Sequence, residues 1–209
     1  CNNAQNFYQY WQVVEFTNPA DIYVQKGSVA MPDGALSVDV NLGTSVDLSK
    51  TFVLVGAKGD YPDADTNRVG AVLVRGSMVN GNTVRISRDL TNTGSGIVLD
   101  DMVYQVVELR DGSRVFHGSR SFPQNTTVDS FPIGGGTVNL NRTVGFLSGQ
   151  MGLGQSIGGS TFDQQDAYGV ASFTVRFPDP STIELRRNFA AAPATANWYV
   201  VEFAGIAQP

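Results

Sequence analysis

The sequence predicts an all-β protein, built as two tandem antiparallel β-sandwich modules related by an internal repeat, and three observations carry that prediction. Apolar and polar residues alternate with a period of two, as in "ALSVDVNLG", where Leu36, Val38, Val40 and Leu42 fall on one face and Ser37, Asp39 and Asn41 on the other. Short runs rich in Val, Ile, Phe and Tyr are separated by turn signals such as "PDG", "NGN" and "TGSG", and no window carries a capped helical stripe. Finally, blocks of sequence return in the same order in both halves of the 209-residue chain.

The clearest block is "WQVVEF" at residues 11–16, which returns as "YQVVEL" at 104–109 and "WYVVEF" at 198–203. Between these copies, "YVQKGS" (23–28) matches "RVFHGS" (114–119), "TSVDLSKTF" (44–52) matches "GTVNLNRTV" (136–144), and "NTVRISRDL" (82–90) matches "STIELRRNF" (181–189). The second half is longer mainly through a Gly-, Ser- and Gln-rich excursion at 150–169, read as a loop insertion. The chain therefore divides into a tail at 1–10, a first module at 11–103 and a second at 104–209. "TFVLVG", "AVLVRG", "TVRIS" and "IVLDDMVYQVVEL" are the strands that the alternation predicts in the first module.

Three copies of one segment bound only two intervals, so one is surplus. A hydrophobic strand with open N–H and C=O groups tends to pair with an available sheet edge. The surplus copy, Tyr10, Trp11, Gln12, Val13, Val14, Glu15 and Phe16, either folds back on its own module or adds to a sheet in a neighbouring molecule. The second option is a head-to-tail contact, which propagates into a filament when its rotation does not close.

Composition narrows the function classes. With 42% hydrophobic and 16% charged residues the chain can bury a core. Its net charge is −5 and its basic residues are scattered, so it presents no phosphate-neutralising surface and nucleic acid is not an expected partner. No stretch has the apolar length of a membrane-spanning helix. Cys1 is the single cysteine, which excludes an intramolecular disulfide and any site needing several thiolates. Followed by "NNAQN", it looks like the mature end of a bacterial lipoprotein with the lipid on that cysteine, a membrane's only expected contact; the alternative is an arbitrary boundary falling on Cys. The absence of an initial Met fits an upstream segment that was removed or not included. Two N-x-T sequences, at Asn125 and Asn141, fit a surface protein.

Few residues advertise chemistry. Glu15, Glu108 and Glu202 recur near the ends of the repeated strand, but no second acid or base repeats beside them, so they read as solvent-facing or hydrogen-bonded strand-end residues. His117 is the only histidine and aligns with Lys26, the mark of an exposed strand position rather than of a catalytic base. Nothing near Cys1 in sequence would lower its pKa. Asp60, Asp63, Asp65 and Asn67 place oxygen ligands at alternate positions of one loop, a set suited to calcium, although the loop lacks the glycine and distal glutamate of an EF-hand and such acidic loops are commonly solvated turns. "GLGQSIGGST" has no Lys-Ser/Thr ending and reads as a loop, not a phosphate cradle. Tyr8, Tyr10, Trp11, Tyr104, Trp198 and Tyr199 cluster around the repeated segments, where they fill a core or, if exposed, suit sugar stacking or a protein interface.

Across most of each module, the pattern "YVQKG", "VDLSKTFVLVG" and "YQVVEL" resembles a tandem β-sandwich repeat of bacterial surface proteins and tailed-phage virion proteins, and loosely the compact sandwiches of H-type lectins. The second module departs from it with "VFHG" and "VGFLSG". The resemblance implies assembly or adhesion rather than catalysis. The expected function is thus a non-enzymatic structural protein of an extracellular appendage or cell-surface assembly, whose partners are copies of itself joined by strand addition, with no cofactor unless calcium fills the Asp60 loop. A glycan-binding adhesin or a virion tail or decoration protein is the alternative.

Overall fold

Period-two alternation becomes strand at nearly every place where the sequence shows it. A computed structural model describes residues 14–32, 34–58, 73–89, 99–151 and 170–205, with backbone alone at 148–151. The described residues form twelve strands and three short 3-10 turns. In the first half these are β1 (Ile22–Met31), β2 (Ser37–Asn41), β3 (Thr51–Lys58), β4 (Arg75–Asn80), β5 (Thr83–Ser87) and β6 (Leu99–Leu109). In the second they are β7 (Arg114–Phe122), β8 (Val128–Pro132), β9 (Thr143–Met151), β10 (Phe173–Asp179), β11 (Thr182–Arg187) and β12 (Ala194–Glu202). The all-β class is therefore observed.

Four antiparallel three-stranded sheets result, ordered β1-β6-β3, β2-β5-β4, β7-β12-β9 and β8-β11-β10. "YQVVEL" lies in β6 and most of "WYVVEF" in β12, so each is the central strand of its sheet and the last strand of its half. The expected module boundary between residues 103 and 104 cuts β6, whose pairing with β1 and β3 continues through Leu109 and Glu108; the crossing between halves instead lies at residues 110–113. The backbone ladder fixes this, because a boundary inside a paired central strand would break hydrogen bonds to both neighbours.

Each half packs its two sheets face to face. Met31, Ile86, Leu99 and Met102, all at 0% exposure, fill the first interior, and Phe122, Ile183, Leu185 and Trp198 fill the second. In both halves a ring on the central strand lies across a glycine of the first strand: a Cβ at Gly27 would meet Tyr104 Oη at 2.6 Å, and one at Gly118 would meet Trp198 Cζ2 at 2.8 Å. The side-chain-free position thus makes room for the ring. A third cluster, including Phe52, Val107, Tyr199, Val201 and Phe203, joins the halves, with Phe52 and Phe146 stacked at 4.9 Å and 16°.

Two arginines anchor corresponding loops. Arg88 is 1% exposed and donates from Nε to Ala35 O (2.8 Å) and from Nη2 to Pro32 O (3.2 Å). Arg187, 4% exposed, donates from Nε to Thr126 O (2.8 Å), from Nη2 to Pro123 O (2.7 Å), and from Nη1 to Val170 O and Ala192 O. The loops held in this way turn through left-handed residues, Gly34 at φ 74° and Asn125 at φ 68°. Replacing Arg187 with Met strands four carbonyl oxygens around an apolar chain, and equilibrium urea unfolding is expected to show a loss of about 3 kcal/mol or more, since each lost charged bond contributes roughly 1.5–3 kcal/mol. Loss below about 1 kcal/mol would mean that the loops hold themselves.

Candidate functional site

The glutamate that ends each central strand is a structural latch. Glu108 Oε1 accepts the backbone N–H of Asp47 at 2.8 Å, and its Oε2 accepts Arg110 Nε at 2.8 Å. Glu202 Oε1 accepts the N–H of Asn139 at 3.0 Å and Arg142 Nη2 at 3.0 Å, while Oε2 pairs with Arg114. Asp47 and Asn139 are themselves the N-caps of the 3-10 turns Leu48–Lys50 and Leu140–Arg142, which feed β3 and β9. Each carboxylate therefore satisfies an N–H just ahead of a helical turn and ties the last strand of its half to the third. Burial would push the Glu202 carboxyl up, but the bonds from Arg114, Asn139 and Arg142 outweigh it and hold it below the ordinary glutamate value. The expectation of hydrogen-bonded strand-end residues holds for Glu108 and Glu202, and both are buried rather than solvent-facing.

Of the surplus segment, Val14, Glu15 and Phe16 belong to no strand. Phe16 packs 6.3 Å from Phe203, against the shared core. Tyr10, Trp11, Gln12 and Val13 lie outside the described residues, as do Cys1 and the loop residues Asp60, Asp63, Asp65 and Asn67. Among the described residues no group of three or more His, Cys, Asp and Glu gathers, and no helix is long and apolar enough to cross a membrane. Tyr104, Trp198 and Tyr199 serve in packing.

Where the halves meet, β12 faces the rim formed by β3 and β4. Asn197 Nδ2 and Tyr199 Oη both donate to Gly76 O, each at 3.1 Å, and Arg75 Nη1 donates to Ser119 Oγ and Asn197 Oδ1, also at 3.1 Å. Burial at this seam pushes the Tyr199 hydroxyl far above its ordinary value, so it stays a donor. Gly76 lets β4 lie close under β3 of its own half, because a Cβ there would lie 2.5 Å from Val55 Cγ1 and 2.8 Å from Val53 Cγ1. In the other half the sizes are exchanged: Gly145 on β9 lies under Val175 on β10, 2.7 Å from where its Cβ would be.

Beside this seam opens a cleft of about 340 Å³, lined among others by Arg75, Ser77, Arg85, Ser87, His117 and Ser119. Arg85 is held by Asp39 through Nε and Nη2 at 2.7 and 2.8 Å. His117 is exposed, as the sequence predicts, with its ring 6.1 Å from that of Tyr199. Sequence reasoning missed Arg75, Ser77, Arg85 and Ser87, which the β4–β5 pairing sets side by side and the docking of the second half closes into a cleft with His117.

Glu202→Gln removes the charge that two arginines and a buried N–H share, at an expected cost of about 2–3 kcal/mol in urea unfolding at pH 7. Because the folded pKa is depressed, Glu202 contributes stability above the unfolded glutamate value and loses it as pH falls through the folded one. The wild type should therefore lose stability below about pH 4.3, and the variant should show a flatter acid limb. Comparison with protein-family models, with curated proteins and with solved structures finds no match, so the functional reading rests on this geometry.

Proposed function

We propose that the chain is a non-enzymatic structural protein composed of two copies of one β-sandwich module, and that it assembles head to tail with further copies of itself. The duplication is supported by matched detail: the same sheet order, the Glu108 and Glu202 latches, the Arg88 and Arg187 anchors, and the ring-over-glycine pairs.

One observation carries the assembly. On the face of β7-β12-β9 that meets the first half, Val115 and Asn197 are buried at 6% and 4%. Their counterparts on β1-β6-β3, Val24 and Val103, are exposed at 42% and 50%, and Leu54, the counterpart of Phe146, joins them at 39%. The rim shows the converse. Leu48 is half-buried where β7 packs on its turn, while its counterpart Leu140 in the second half is 41% exposed. Each chain thus leaves open the Val24, Val103 and Leu54 part of that face, beside the Phe52 and Val107 that its internal joint already buries, and the Leu140 side of the rim. Seating the Val24 face of one molecule on the Leu140 rim of the next repeats that joint, a heterologous contact with no built-in closure. Gln105, at the position of Tyr199, retains an amide donor for the rim carbonyl of Val175.

Residues 10–15 complete this reading as a strand offered to the neighbour, with Phe16 held against Phe203 of its own chain. In both halves the central place is filled by the chain itself, so a donated strand adds at a sheet edge or displaces its own near-copy. The cell-surface or virion setting rests on the sequence resemblance.

Sizing by light scattering with negative-stain imaging tests the assembly. Wild type should form concentration-dependent polymers. Val24→Asp with Val103→Asp, or Leu140→Asp alone, should weaken association by at least about 10-fold, equivalent to about 1.4 kcal/mol. A mixture of the two variants should stop at dimers, since each retains the opposite side of the joint. A deletion of residues 1–16 that stays polymeric assigns the joint to the faces, whereas one that turns monomeric assigns it to the strand. Strictly monomeric wild type overturns the proposal.

A further inference from the structure

The cleft beside the seam is lined by basic side chains. The ionisable side chains lining it are Arg75, Arg85 and His117, with no carboxylate among them. Arg85 spends its Nε/Nη2 edge on Asp39. Arg75 uses Nη1 alone, and its Nε is buried without a hydrogen-bond partner. A buried guanidinium N–H without a partner among the described residues is costly, and an acceptor brought into the cleft beside it would offset that cost. Asp89 is the acid that Arg75 influences; burial raises its carboxyl against the pull of Arg75, and the two form no ion pair among the described residues. Around these groups stand the hydroxyls of Ser77, Ser87 and Ser119, while that of Thr51 donates to Asp47 O at 2.6 Å.

A volume of about 340 Å³ admits a single small molecule. The positive lining selects an anion, and planar guanidinium favours a carboxylate. Several hydroxyls around it favour a ligand that carries hydroxyls of its own. We infer that the cleft between the halves binds a hydroxylated carboxylic acid of monosaccharide size, such as a hexuronic or sialic acid residue, with its carboxylate toward Arg75 and its hydroxyls toward Ser77, Ser87 and His117. This site is independent of the Val24 face, so binding and assembly succeed or fail separately.

Saturation-transfer NMR and calorimetry on the full chain test it, using glucuronic, galacturonic and N-acetylneuraminic acids beside glucose, galactose, acetate and N-acetylglutamate. At least one acidic sugar should bind saturably, at least 10-fold tighter than its neutral counterpart and than acetate. Arg75→Gln should weaken that binding at least 10-fold, and Ser77→Ala, which leaves the seam bonds of Arg75 in place, about 3-fold. Circular dichroism melting identifies variants that fail to fold, and Ser77→Ala decides the matter if Arg75→Gln does not fold. The inference is overturned by no saturable binding of any acidic sugar, or by equal binding in wild type and folded variants. Preferential binding of N-acetylglutamate also overturns it, by assigning the cleft to an acidic protein side chain.

Discussion

Everything in this fold hangs on the strand that closes each half. β6 and β12 arrive last in sequence and yet occupy the middle of their sheets, so the first and third strands of each half have no partner between them until the end of the half is present. The carboxylate that ends the strand then fastens it, through a backbone N–H, to the turn that launches the third strand. A long-range ladder and a capped turn become one cooperative unit, and most of its contacts join residues far apart in the chain, a topology that folds slowly.

Alternation made the strands legible, because a half-buried sheet imposes its period directly on the sequence. The repeated blocks located the strands that would be equivalent, down to the aromatic residue and the glutamate of the closing segment. Sheet order was not legible: nothing in "YQVVEL" says that it lies between β1 and β3 rather than opening the next module. The latch was half legible. Glu108 and Glu202 read as solvent-facing or hydrogen-bonded ends, but the turn residues that they hold, Asp47 and Asn139, lie some sixty positions away and show only an ordinary capping pattern. The cleft was invisible, since Arg75 and Arg85 acquire a common surface with His117 only once the second half docks.

Near-identical local rules give two surfaces with different fates. Val24 and Val115 occupy the same place in their strands, and so do Leu48 and Leu140, yet one member of each pair is covered and the other faces solvent. The cause is positional: each half offers a face and a rim, and a pair of halves can consume only one of each. Apolar groups left exposed at such sites keep the driving force for further burial.

The exchanged sizes at the two rims bear on how such a molecule can change over evolutionary time. One half sets Val53 over Gly76, the other Gly145 under Val175, so the filled volume is similar while the residue supplying it has moved across to the facing strand. An intermediate with valine at both places would be overfilled, and one with glycine at both would be hollow. Drift between these solutions therefore requires paired substitution, and a hybrid spliced from the two halves at this rim would inherit one defect or the other.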